Sequence, residues 1–208
     1  METVEKDFIK KGYSIIKPKD KDVIKNLHNF VISYLRKKIS KNIPLNLNKL
    51  NNHINIEDVN SIRLDLYKNI NSSKKFHEMY FRVFKPYLSK IIGDDISKQK
   101  KINLNIQLPQ DFNSTLDLHA DTFAGESPHE VITWLPLASV YKSNSMYVFP
   151  LDISKKIVSK IENYNTVGTD KILINYKKKL KFLKINYGEV LIFSANLMHG
   201  NKVNQTKD

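Results

Sequence analysis

The chain has no cysteine among its 208 residues. Disulfides and thiolate metal sites are therefore excluded, and the redox compartment is not otherwise indicated. Arginine is almost as scarce, with Arg36, Arg63 and Arg82 the only three among 34 basic residues. Recognition of bases and phosphates leans heavily on the guanidinium fork, so the formal charge of +13 does not point to nucleic acid. The lysines lie scattered among Asn and Ile, in runs such as KDKD, RKK, KQKK and YKKKLK, and read as solvated faces and turns. The charge leaves open an attraction to anionic substrates such as nucleotide sugars or phosphorylated sugars. No apolar run approaches the length of a membrane span, and METVEKDFIKK lacks the apolar core of a signal peptide. The expectation is a cytoplasmic protein that engages neither membrane nor nucleic acid. Internal repeats and linkers are also missing, so residues 1–208 read as one domain with one core, which a hydrophobic fraction of 41% supports.

What is present divides near residue 100. Phe8 to Lys17 reads as an early strand whose β-rich end follows Gly12. Asp20 can cap a helix from Lys21 to Ile39, where Ile24, Leu27, Val31, Tyr34 and Leu35 recur at helical spacing. An Asn-rich loop carrying His53 follows, then a weak helix from Ile56 to Ile70. Ser72 or Ser73 can cap a stronger helix from Lys74 to about Ile92. These helices, with His28 and His77 as ordinary structural histidines, are expected to cover one face of a sheet. Beyond residue 100 the period falls toward two. Strands are expected at 102–108, 130–137, 145–149, 171–176, 182–185 and 190–194, with a short helix between Leu151 and Asn163. Many short strands after an α-rich start imply an α+β chain. Its core, 100–208, would be a double-stranded β-helix, the jelly-roll barrel of cupins, on helical support from 1–99.

The chemistry concentrates in two stretches, Leu116 to Leu137 and Gly188 to Asn201. The first carries His119-Ala-Asp121 after the apolar run NLNIQL, and the second carries His199 after VLIF. In an extended segment the side chains at i and i+2 point to one side, so His119 and Asp121 can reach one ion together. His199 from a distant strand would complete a facial triad, leaving the opposite coordination positions open, as in non-haem Fe(II) oxygenases. His129 lies near this pair but falls in a loop beside Pro128.

These segments resemble the phytanoyl-hydroxylase-like branch of the Fe(II)/2-oxoglutarate dioxygenases, and within it a subgroup found in bacterial carbohydrate and antibiotic-sugar gene clusters. The resemblance rests on Gln107-Leu-Pro109, His119-Ala-Asp121-Thr122, Gly125 to Glu130, Trp134 to Leu137, Lys142 to Met146, Pro150 and His199-Gly-Asn201, and covers about residues 100–204. It implies Fe(II) held by His119, Asp121 and His199, 2-oxoglutarate as co-substrate, dioxygen, and hydroxylation of a sugar-derived small molecule. His129 has no ligand role in that pattern. Asn201 would help hold the co-substrate, with Gln107 and Thr133 as further candidate donors and Trp134 in the wall. Asp121 argues against a halogenase, where that carboxylate is typically replaced. The family places an arginine about ten residues past the distal His on a final strand, whereas here the text ends at Asp208. The expectation is a C-terminally incomplete barrel, or else Lys202 or Lys207 as substitute anchor. The rival readings are a Zn or Mn isomerase or hydrolase on the same triad, and a jelly-roll metal- or carbohydrate-binding protein without turnover.

Overall fold

The fold is taken from a computed structural model that describes residues 2–39, 44–160, 162 and 168–208. Helix α1 (Glu2–Lys11) opens the chain, and it corrects the expectation of a strand from Phe8. Val4 and Phe8, one helical turn apart, share the face of α1 that packs against the helical core. Gly12 ends the helix. It takes φ +79°, and its N–H returns to the Phe8 carbonyl at 2.8 Å. The chain then runs directly into β1 (Tyr13–Ile16).

Helix α2 (Lys21–Ile39) starts where expected, with Asp20 Oδ1 accepting from the Val23 N–H at 3.2 Å. The Asn-rich segment holds a short 3-10 turn, Leu47–Asn52, and His53 is half-buried; residues 40–43 of that stretch lie outside the described residues. Helices α3 (Ile56–Ser72) and α4 (Lys74–Ile92) meet at Ser73, whose Oγ accepts from the Phe76 N–H at 3.2 Å. Their apolar stripes, Val59-Ile62-Leu66-Ile70 and Phe76-Val83-Phe84-Leu88, bury against α2 and form the first core.

Beyond residue 100 the strands are shorter than the sequence implies. They are β2 (Val131–Trp134), β3 (Tyr147–Val148), β4 (Lys181–Phe182), β5 (Val190–Ser194) and β6 (His199–Gly200). They form two three-stranded antiparallel sheets, in the orders β1-β5-β2 and β4-β3-β6. Among the described residues these strands close no barrel. Residues 102–108 alternate as expected, with Ile102, Leu104 and Ile106 turned to the helical core, but join no ladder. Only Pro109 bridges, to Asn204. Alternation here records which side is buried, not a hydrogen-bonded partner.

The pleat of β5 separates two cores. Val190 and Ile192 face the helices, while Leu191 and Phe193 pack with Val148 of β3 and with Leu183, Ile185 and Leu197 from the segments flanking the second sheet. The outer face of that second sheet is covered by α5 (Leu151–Val158) and α6 (Gly168–Tyr176), with Phe149, Ile157, Ile172 and Met198 fully buried between them. The layers therefore run helices, sheet, sheet, helices. The short helix expected to Asn163 stops at Val158, and Ile161 and Asn163 lie outside the described residues. Segment 171–176, expected as a strand, lies in α6 instead. Ile172, Leu173 and Tyr176 share its buried side while Ile174 is 72% exposed, which is helical periodicity.

Candidate metal centre

The two histidines of the expected triad are cross-strand neighbours. His119 and His199 form an antiparallel bridge, with the His119 N–H on the His199 carbonyl at 2.9 Å and the reverse bond at 2.8 Å. Their ring centroids lie 4.3 Å apart. Ala120, fully buried and extended (φ −116°, ψ 143°), links His119 to Asp121, so both side chains project to one side before a 3-10 turn begins at Asp121. Asp121 Oδ1 is 3.9 Å from His119 Nε2, and Oδ2 is 3.9 Å from His199 Nε2. The three residues offer ligand atoms that all lie within 4.8 Å of one another.

Both imidazoles are set in the tautomer a metal needs. His119 Nδ1 lies 2.7 Å from the Asp117 carbonyl, and His199 Nδ1 lies 2.8 Å from the Leu197 carbonyl. A carbonyl oxygen only accepts, so each Nδ1 carries the proton and each Nε2 keeps its lone pair toward the centre. Burial pushes the His199 pKa down, and the neighbouring His119 adds to this against the Leu197 carbonyl and Asp121. The imidazole is thus held neutral. Asp121 Oδ2 is buried with no hydrogen-bond partner. An orphaned carboxylate oxygen facing two free imidazole lone pairs is costly unless a cation joins them. This nitrogen and oxygen donor set fits a divalent first-row metal such as Fe(II), Mn(II) or Zn(II).

Access is one-sided. The His199 side chain is 8% exposed, against 33% for His119 and 24% for Asp121. The Phe193 ring, its centroid 4.9 Å from that of His199, closes the inner side. Glu130 sits at the end of the same inner sheet face as Ile132 and Trp134, one residue before β2. Burial raises its carboxyl pKa first, then a hydrogen bond to Glu126 and the charges of Glu126 and Asp121.

The remaining candidates are placed differently. Thr133 is not brought to the triad. Ile132 and Trp134 face the inter-sheet core, so Thr133 faces the helices, where Tyr80 donates to its carbonyl at 2.9 Å and lies 3.3 Å from its Oγ1. The Gln107 amide donates to the Lys202 carbonyl. Asn201 clamps the segment leading into His119: its N–H donates to the Leu116 carbonyl at 3.1 Å and its Nδ2 to Ser114 at 3.0 Å, while its Oδ1 accepts from the Leu116 N–H. The Lys202 ammonium lies 5.9 Å from the Tyr147 ring centroid, on the side of the second sheet away from His199. The Lys207 carbonyl accepts from Lys49. His129 is exposed and takes no part, and Trp134 packs in the wall as read.

Sequence reasoning missed the supports. Ser154 on α5, itself fully buried, accepts from the Met198 N–H at 3.0 Å and fixes the residue before His199. A serine in a short helix carries no signal of that contact, and neither do the backbone carbonyls of Asp117 and Leu197.

Fold and site together define an α+β protein with a candidate centre of two histidines and one carboxylate. No family model matches the chain, and no curated protein does. Among solved structures it is similar to the crystal structure of EvdMO1, with a TM-score of 0.61 and 14% identity over 99% of this chain. The chain spans 47% of that protein's length. At this identity the likeness is one of fold.

Proposed function

We propose that the chain is a non-haem Fe(II)- and 2-oxoglutarate-dependent dioxygenase domain that hydroxylates a small, carbohydrate-derived molecule. The observation that carries this is the triad. His119, Asp121 and His199 would hold the iron on one face, with two lone pairs and an unpaired carboxylate oxygen turned to a common centre. The iron, with the 2-oxo acid and dioxygen, supplies the oxidising power to convert C–H to C–OH as the oxo acid becomes succinate and CO₂.

The chain's own share is orientation and exclusion. Asp117 and Leu197 hold the imidazole protons on Nδ1, and Asn201 keeps the His119 segment seated beside β6. Phe193 and the inter-sheet core keep water from the inner side of His199, so substrate would approach from the exposed side of His119 and Asp121. The two facing antiparallel sheets support a jelly-roll reading of the core. The sugar assignment rests on the segment resemblance around residues 100–204.

One observation favours a second reading. Lys202, a proposed stand-in for the family's anchoring arginine, lies over Tyr147 on the far side of its sheet. A metal-binding protein that does not take 2-oxoglutarate would show this arrangement. Anaerobic titration separates the two. The proposal expects 2-oxoglutarate to bring a new visible absorption to the Fe(II)-loaded chain. A spectrum identical with and without it, at full iron loading, would favour the second reading.

A further inference from the structure

Apart from the triad, the strongest concentration of chemistry is a groove of about 640 Å³ between the C-terminal turn of α1, the start of α5 and the edge strand β4. Lys10 and Lys11 reach it from α1, Lys155 from α5, Lys179 from the turn before β4, and Lys181 from β4 itself. Asp152 is the single acid on the lining. The chain as a whole has 34 basic to 21 acidic residues, so five to one is far beyond its average. Lys11 is paired with Asp7 at 2.9 Å. Among the described residues the other four have no carboxylate at ion-pair distance.

We infer that this groove binds the diphosphate group of a small soluble molecule, at a site separate from the metal centre. Several separate elements place lysines around one concavity, which gathers positive charge there instead of spreading it along one solvated helix face. Ammonium groups act as point charges on independent stems and suit phosphate oxygens from several directions. A carboxylate is better matched by the planar arginine fork, which this groove lacks. A single monoanion would leave most of the lysines unmatched, whereas a diphosphate carries the charge and the reach to engage several. The volume exceeds what a diphosphate fills and leaves room for the body of a small ligand against the apolar floor of Tyr13 and Leu151. Tyr13 pairs across to Phe193, whose ring meets His199, so these two aromatic residues wall the groove from the triad.

The site does not depend on the metal reading, and its test leaves metal out. The probe is inorganic pyrophosphate, titrated into the metal-free full chain by calorimetry at fixed ionic strength, with sulfate as a control. Binding of one pyrophosphate per chain is expected, weakening at least about tenfold in K155E/K181E. Both lysines are exposed, so the reversal is compatible with folding, and circular dichroism checks it. A charge-matched reversal on α4, K75E/K85E, is expected to leave binding within about twofold. Three outcomes would overturn the inference: no heat with pyrophosphate, equal loss in both double variants, or saturable binding only to vesicles of phosphatidylglycerol.

Discussion

Gly200 lies in β6 between His199 and Asn201, directly opposite Tyr147. A Cβ built there would stand 2.6 Å from the Tyr147 hydroxyl, 2.9 Å from the Leu116 carbonyl oxygen and 2.9 Å from Tyr147 Cζ. None of these neighbours is a flexible chain end. Tyr147 is 1% exposed, and the Leu116 carbonyl is engaged by the Asn201 N–H. Gly200→Ala must therefore push β6 away from β3 or from the segment that carries His119. Overpacking of this kind costs typically about 1–3 kcal/mol, and a contact with fixed backbone puts the expected loss at the upper end. The displacement also separates the two imidazoles, so metal affinity is expected to fall with stability. Urea unfolding gives the first quantity and calorimetric titration with Co(II) the second. Tyr147→Phe removes the closest of the three contacts, so G200A/Y147F should be less destabilised than the sum of the single changes. Unchanged stability and affinity in Gly200→Ala, or strict additivity in the cycle, would refute the packing argument.

Three further outcomes follow from the same geometry. Asn201→Ala, which frees the 114–116 segment, should lower Co(II) affinity by roughly ten- to a hundredfold while the chain stays folded, read by the same titration. Thr133→Val should leave metal affinity unchanged, because its hydroxyl faces Tyr80 and the helices, whereas Tyr80→Phe should cost about 1–2 kcal/mol in urea by orphaning the Thr133 carbonyl. Stability of the metal-free chain should decline as pH falls below 6.5: burial lowers the His199 pKa, so the unfolded chain takes up the proton first. His28 and His77, also lowered by burial, act in the same direction. His199→Gln should therefore flatten the slope without abolishing it, as pH-dependent urea midpoints would show.

Much of the helical half was legible because its signals are local. Asp20 and Ser73 cap α2 and α4 where the sequence places them, and the apolar stripes of both helices bury as spaced. The triad was legible for a related reason, since one extended residue between His119 and Asp121 decides that both point the same way. What could not be read depends on partners distant in the chain. The alternation of 102–108 is real in its burial, yet whether a strand pairs is decided by what lies beside it. The run around Ile172 and Ile174 satisfies both periods until α5 and the second sheet bury one side of it as a helix. Thr133 shows the limit most plainly. Its place next to Trp134 gives no indication of which sheet face carries the triad, and the pleat turns it toward Tyr80 and the helices.

The central claim is that one cation joins His119, Asp121 and His199. Its most direct test is an anaerobic Fe(II) titration of the unaltered chain beside Asp121→Ala, the variant that removes the unpaired carboxylate and leaves both imidazoles. The account predicts one iron per chain, with binding lost or greatly weakened in the variant. An unaltered chain that takes up no iron, or a variant that binds it equally well, would contradict it.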